Sequence, residues 1–193
     1  MLGINLKDVD GNYVRPKAGG HVIRITKATN NPEKERIEFE YDFAEGELEG
    51  YYTDLEERAG FWGGKFNKSY KEKARTFLKA FIENVIKSNS DTDGIIVVNG
   101  DEEDVDETKL VGKVIGLVAG EEEYVGNDGK IKKRLDVFNA KFVPVEDIHT
   151  GNYKVPEFKP ITEQKSSGSA QVVDTTLGEI PQEFQASADD TPF

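Results

Sequence analysis

Between Ile37 and Phe43 the chain alternates without a fault. Ile37, Phe39, Tyr41 and Phe43 fall on one side; Glu38, Glu40 and Asp42 fall on the other. Successive side chains of an extended strand point to opposite faces, so a period of two means a half-buried strand with an aromatic inner face. Such a strand needs partners to complete its sheet and cover its apolar side. His21 to Ala28, rich in Val, Ile and Thr, reads as the strand before it, with Asn30-Asn31-Pro32 as the break between the two. A third, weaker strand is expected from Leu48 to Asp54. Met1 to Gly19 is a polar, turn-rich lead-in.

The periodicity then changes. Ala74, Phe77, Leu78, Phe81, Ile82, Val85 and Ile86 recur at steps of three and four, which predicts a helix over Ser69 to Lys87 with Phe77 and Phe81 in the core. Ser69 and Glu72 have the spacing of a capping box, and Asn89 to Gly94 supply stop signals. An acidic loop, Asp101 to Glu107, precedes two more strands. One runs from Val111 to about Tyr124 and the other from Ile131 to Val143, joined by a turn at Gly126-Asn127-Asp128-Gly129. The expected fold is therefore mainly β: a five-stranded OB-fold barrel with one helix between strands 3 and 4. Closure into a barrel also removes exposed sheet edges. Some other small sheet with one helix is the competing architecture.

The domain boundary falls near Pro160, giving a barrel domain over 1–160 and a tail over 161–193. Ser166-Ser167-Gly168-Ser169-Ala170 opens a stretch with sparse apolar residues, too few to offset the entropy of ordering, so the tail is expected to be disordered and acidic. The 193 residues include no cysteine, so disulfides and thiolate metal sites are ruled out. No apolar run at the N-terminus reads as a secretory signal, and no stretch has the length of a membrane span, so the expected location is the cytoplasm.

Net charge is −12, which by itself opposes binding to a polyanion. The tail holds −5 of it, leaving −7 for the rest. DNA affinity is compatible with that balance only if basic residues are segregated onto one surface. Two segments have the required character. In the first, Phe61, Trp62, Phe66 and Tyr70 interleave with Lys65, Lys68, Lys71, Lys73 and Arg75, and Gly63-Gly64 permits close backbone approach to a ligand. Single strands are held by stacking bases on aromatic rings while a basic groove tracks the phosphates. The other reading is that Trp62 and Phe66 cap the barrel and the lysines are a solvated helix face. The second segment is Lys130, Lys132, Lys133 and Arg134, where Lys132 and Arg134 share a face; Lys17, Arg24 and Lys27 extend the patch from the first strand. Ordinary edge charge that blocks aggregation is the alternative there. Glu38, Glu40 and Asp42 face outward on the second strand and oppose a site on that face.

Signals for catalysis are weak. His21 and His149 sit in no nucleophile or metal motif, and no phosphate-binding Gly-Lys-Ser/Thr loop occurs. The acidic loop lacks the spacing and central Gly of a calcium site. Glu107-Thr108-Lys109 matches a fragment found in some nucleases but is common by chance. The expectation is a protein that is not an enzyme, with no cofactor and no metal.

The chain ends Ala188-Asp189-Asp190-Thr191-Pro192-Phe193. This resembles the C-terminal tip of bacterial single-stranded DNA-binding proteins, an acidic run closing on Pro-Phe. The resemblance implies docking on replication or recombination proteins through Asp189, Asp190, Pro192 and Phe193. A terminal ring can fill an apolar pocket while acidic groups steer toward a basic rim. The acidic run is shorter than in that family, and Thr191 stands where a branched apolar residue is usual, which implies weaker docking. The body is more similar to single-stranded DNA-binding proteins of bacteriophages, on Pro16 and Gly20, Glu45-Gly46-Glu47 and the last paired strands. That resemblance implies a coat for single strands inside an infected bacterial cell, with oligomerisation possible. An acidic interaction protein or DNA mimic that binds a host protein is the alternative.

Overall fold

A computed structural model describes residues 15–126 and 128–161. Five strands form one antiparallel sheet: β1 (Gly19–Asn31), β2 (Arg36–Phe43), β3 (Lys65–Ser69), β6 (Val114–Val125) and β7 (Ile131–Val143). Their order is β3-β2-β1-β6-β7, that of an OB-fold barrel, and β3 and β7 curl toward each other. Phe66 of β3 and Phe142 of β7 close the seam with ring centroids 4.7 Å apart. The fold class read from the sequence is thus the one observed, a nearly closed five-stranded barrel with a helix between its third and fourth strands.

The alternation of β2 is realised residue by residue. Ile37, Phe39, Tyr41 and Phe43 are buried with Ile23 and Ile25 of β1 and Ile115 and Leu117 of β6. α2 (Arg75–Ser88) plugs one end of the barrel. Its Phe81 sits 5.3 Å from Phe39 and 5.2 Å from Phe142, ring centre to ring centre. Asn89, just past the helix, donates to the Val114 carbonyl and accepts from the Val114 amide, which pins the helix end to β6.

Several sequence expectations need correction. Leu48 to Asp54 is no strand: Tyr51–Ala59 form a helix, α1. The cause is Asp42, expected to point outward but only 6% exposed. Its carboxylate accepts from the amides of Tyr52 and Thr53 and from the Thr53 hydroxyl, capping the helix from a distant strand. The third barrel strand is instead the short β3. α2 starts at Arg75 after a 3-10 turn at Glu72–Ala74, not at Ser69. Ser69 ends β3, and its hydroxyl donates to the Glu35 carbonyl and accepts from the Lys71 amide, so no capping box forms. Phe77 is 72% exposed, because only the C-terminal half of the stripe (Phe81, Ile82, Val85) is buried. The acidic loop is a hairpin, β4 (Ile96–Asn99) with β5 (Glu102–Val105). The last barrel strands begin with β6 at Val114 rather than Val111.

After β7 come α3 (Val145–Thr150) and an extended segment. That segment reaches Lys159, which bridges to β6 through Glu123 N–H to Lys159 C=O and Lys159 N–H to Glu121 C=O. The Ile161 amide continues this contact, donating to the Glu123 carboxylate at 3.3 Å. Residues 162–193, with the tip Asp189, Asp190, Pro192 and Phe193, lie outside the described residues, as do 1–14 and Asn127. No helix among the described residues is long and apolar enough to cross a membrane.

Candidate nucleic-acid interface

Charge is segregated. The connection Ala44–Ala59, which includes α1, and the connection Asp91–Glu107, which includes the β4–β5 hairpin, together hold fourteen carboxylates and one arginine, a net of −13. The body of −7 is therefore +6 once these two insertions are set aside. Asp106 is used structurally: its carboxylate accepts from the Thr108 amide and hydroxyl and caps the turn containing Glu107-Thr108-Lys109.

The outer face of β1, β2 and β3 gathers the cations of the barrel wall. Register places Arg24 opposite Asp42, Lys27 opposite Glu40, and Glu40 opposite Lys65. Opposed residues on antiparallel strands share a face. Arg24, Lys27, Arg36 and Lys65 thus lie on one surface with Glu38 and Glu40, Asp42 being withdrawn beneath α1. Glu40 lies between Lys27 (4.0 Å) and Lys65 (3.5 Å). Glu38 is held by Arg36 and by Asn31, whose amide donates at 3.2 Å. The Arg36 guanidinium beside Glu38 holds that carboxyl below the usual range. Glu40 thus bridges two cations and Glu38 holds one, with four bases against two acids on the face. Lys27, Arg36 and Lys65, with Glu38, Glu40 and the neutral Thr29 and Asn67, line a shallow groove of about 370 Å³ on this face.

The ends of β3 carry the aromatic candidates. Phe61 and Trp62 precede it. Phe61 is 60% exposed; Trp62 is half-buried against Tyr52, and its Nε1 donates to the Gly64 carbonyl. Gly64 is tight for a reason other than a ligand: a Cβ there would stand 2.1 Å from the Tyr41 carbonyl. The close approach at Gly64 is to the backbone of β2, and that at Gly63 is to the rings of Phe61 and Tyr52. At the far end Tyr70 is half-buried, its hydroxyl donating to Asn30 near the end of β1, and Lys71 is exposed.

Two candidates do not reach the face. Phe66 is a core residue, 9% exposed and stacked on Phe39 at 4.8 Å. Alternation in β3 sends Phe66 inward while Lys65 and Asn67 point out. Lys68 also turns inward: its Nζ sits 4.1 Å over the Phe142 ring and 5.5 Å from that of Phe81. Burial among these rings pushes its pKa down to about 8.

The second basic cluster rides on the far arm of the β6–β7 hairpin. Lys132 pairs with Asp128 at 3.2 Å, and Arg134 pairs with Glu122 at 2.7 Å while lying over the Tyr124 ring. Lys133 covers the Phe158 ring, and Lys130 is exposed in the turn. This arm belongs to β7, at the opposite edge of the strand order from β3. Arg36 and Asn67 were missed by the sequence reading, since only the registers of β2 against β1 and β3 bring them onto the wall that holds Thr29 and Lys65.

No protein-family model matches the chain, and a search of the curated proteins finds no match. The described residues contain no group of three or more His, Asp or Glu placed to hold a metal ion.

Proposed function

We propose that this protein binds single-stranded DNA on the outer face of β1, β2 and β3 and acts as a non-enzymatic coat in replication, recombination or repair. The observation that carries the reading is charge segregation: Arg24, Lys27, Arg36 and Lys65 share one barrel face, while the acid is gathered into two insertions. Phe61 and Trp62 at one end of that face and Tyr70 with Lys71 at the other supply stacking and phosphate contacts. The hairpin cations Lys130, Lys132 and Arg134 extend the path. The tip Asp189, Asp190, Pro192 and Phe193 recruits replication or recombination partners, in the cytoplasm of a bacterial host. Lys27→Gln with Lys65→Gln tests the face: affinity for labelled oligo-dT falls at least about tenfold, the loss expected from removing two phosphate contacts. Unchanged affinity would move the site elsewhere.

A second reading, docking of a host protein without DNA affinity, draws on the β4–β5 hairpin. There the exposed Val97 and Val98 lie opposite Asp104 and Glu103, an acidic surface with apolar patches. A protein of that kind ignores oligonucleotides and retains a host partner.

A further inference from the structure

The β6–β7 ladder breaks once, and the break displays a ring. Val118 pairs with Lys141 and Gly120 with Asp136, so Val137 to Ala140 stand opposite Ala119 alone. Val137 and Ala140 pack on the core, and Phe138 between them is 91% exposed, the most exposed large apolar side chain among the described residues. The bulge is pinned. Asp136 is 2% exposed, and its carboxylate accepts from the Asn139 backbone amide (3.1 Å), from the Asn139 side-chain amide (2.9 Å) and from Lys159 Nζ (2.9 Å). Burial opposes ionisation of Asp136, yet the bonds from Lys159 and Asn139 outweigh it and hold the pKa below the ordinary value. Bulges of this kind re-aim side chains next to functional sites.

The charge along the ring's own strand is basic, with Arg134 and Lys132 answered by Glu122 and Asp128 and Lys130, Lys133 and Lys141 left to meet a ligand. Asp136 is the only carboxylate of β7, and it is buried and paired. Every exposed ionic side chain of the strand is basic: Lys132, Lys133, Arg134 and Lys141, with Lys130 just before it. A fixed, solvent-facing ring on a strand whose exposed charges are all positive suits a polyanion that carries flat π-faces, which is a single-stranded nucleic acid.

We propose that Phe138 is a base-stacking platform, held out by the Asp136–Asn139–Lys159 network, and that β7 extends the single-strand site beyond the β1–β2–β3 face. This rests on the single-strand reading given above. The test is fluorescence anisotropy of labelled oligo-dT with the full chain and its Phe138→Ala and Phe138→Leu variants. Photocrosslinking of wild type to an oligonucleotide bearing 5-iododeoxyuridine, with mapping of the adduct, accompanies it. One lost stack weakens binding about 5- to 150-fold. Both variants are expected to weaken by that factor with unchanged melting temperature, and the adduct to fall on Phe138. Full affinity in Phe138→Ala while wild type binds overturns the platform and leaves the single-strand reading intact. Full affinity in Phe138→Leu alone overturns stacking in favour of aliphatic contact. No binding by wild type sinks both readings together.

Discussion

Replacing Lys68 with methionine stabilises the protein near neutral pH, and the gain disappears in alkali. Lys68 sits over Phe142 and near Phe81, and burial lowers its pKa from 10.5 to about 8. At about 1.4 kcal/mol per pH unit, keeping the ammonium charged there costs about 3 kcal/mol. Cation–π attraction to Phe142 returns roughly 0.5–2 kcal/mol. The net cost is then about 1–2.5 kcal/mol, which Lys68→Met removes while filling nearly the same volume. For a domain of this size that raises Tm by roughly 2–10 °C. The sign follows from proton counting. Between pH 8 and 10.5 the unfolded chain holds more protons at this position than the folded one, so wild-type stability rises with pH across that window. Below pH 8 the penalty is complete, and above 10.5 it is gone. The assay is urea unfolding of wild type and variant at several pH values, comparing differences so that other titrating groups cancel. A variant no more stable than wild type at pH 7, or a difference that stays constant to pH 10.5, would refute the burial argument.

Phe66→Ala should destabilise by about 3–5 kcal/mol, the usual cost of removing a core ring, whereas Phe77→Ala on the exposed face of α2 stays within about 0.5 kcal/mol; thermal unfolding of both variants checks this. Asp42→Ala takes the cap from α1 and leaves the amides of Tyr52 and Thr53 without their acceptor. A loss of about 2–3 kcal/mol is expected from the missing cap and the unsatisfied donors, with reduced hydrogen-exchange protection confined to α1. Competition between the acidic tip and DNA for the basic face, which the proposed function implies, is tested by deleting Asp189 to Phe193. Oligo-dT affinity at low salt should rise, and unchanged or weaker binding would remove that competition from the account.

The parts of the fold that declare themselves in sequence are those fixed by one-dimensional pattern. Ile37 to Phe43 alternates because one side faces the barrel, and Phe81, Ile82 and Val85 repeat because one side of α2 plugs it. The third strand escaped because Lys65–Ser69 is five residues long, with Phe66 as its single apolar residue. Tyr51 and Tyr52 have strand-like composition, yet the carboxylate that makes their segment helical comes from Asp42, ten residues earlier and on another element. Phe77 was misplaced since periodicity gives the apolar face of a helix but not how far along it the partner extends. The candidate site follows the same rule. Lys65, Trp62 and Lys71 were legible from local interleaving. That Arg36 and Lys27 join Lys65 on one wall, that Lys68 turns inward, and that Glu38 and Glu40 clamp cations depends on strand register. Phe138 gave no signal, because a bulge is a property of two strands.

The most direct test of single-strand binding is anisotropy of labelled oligo-dT against duplex of equal length, titrated with the wild-type chain over a range of salt. Three or four phosphates on the β1–β2–β3 face predict a log–log salt slope of about −2 to −3 for the single strand. That slope, together with much weaker binding to duplex, is the expected result. Equal affinity for the two, or no binding at the lowest salt, would contradict it.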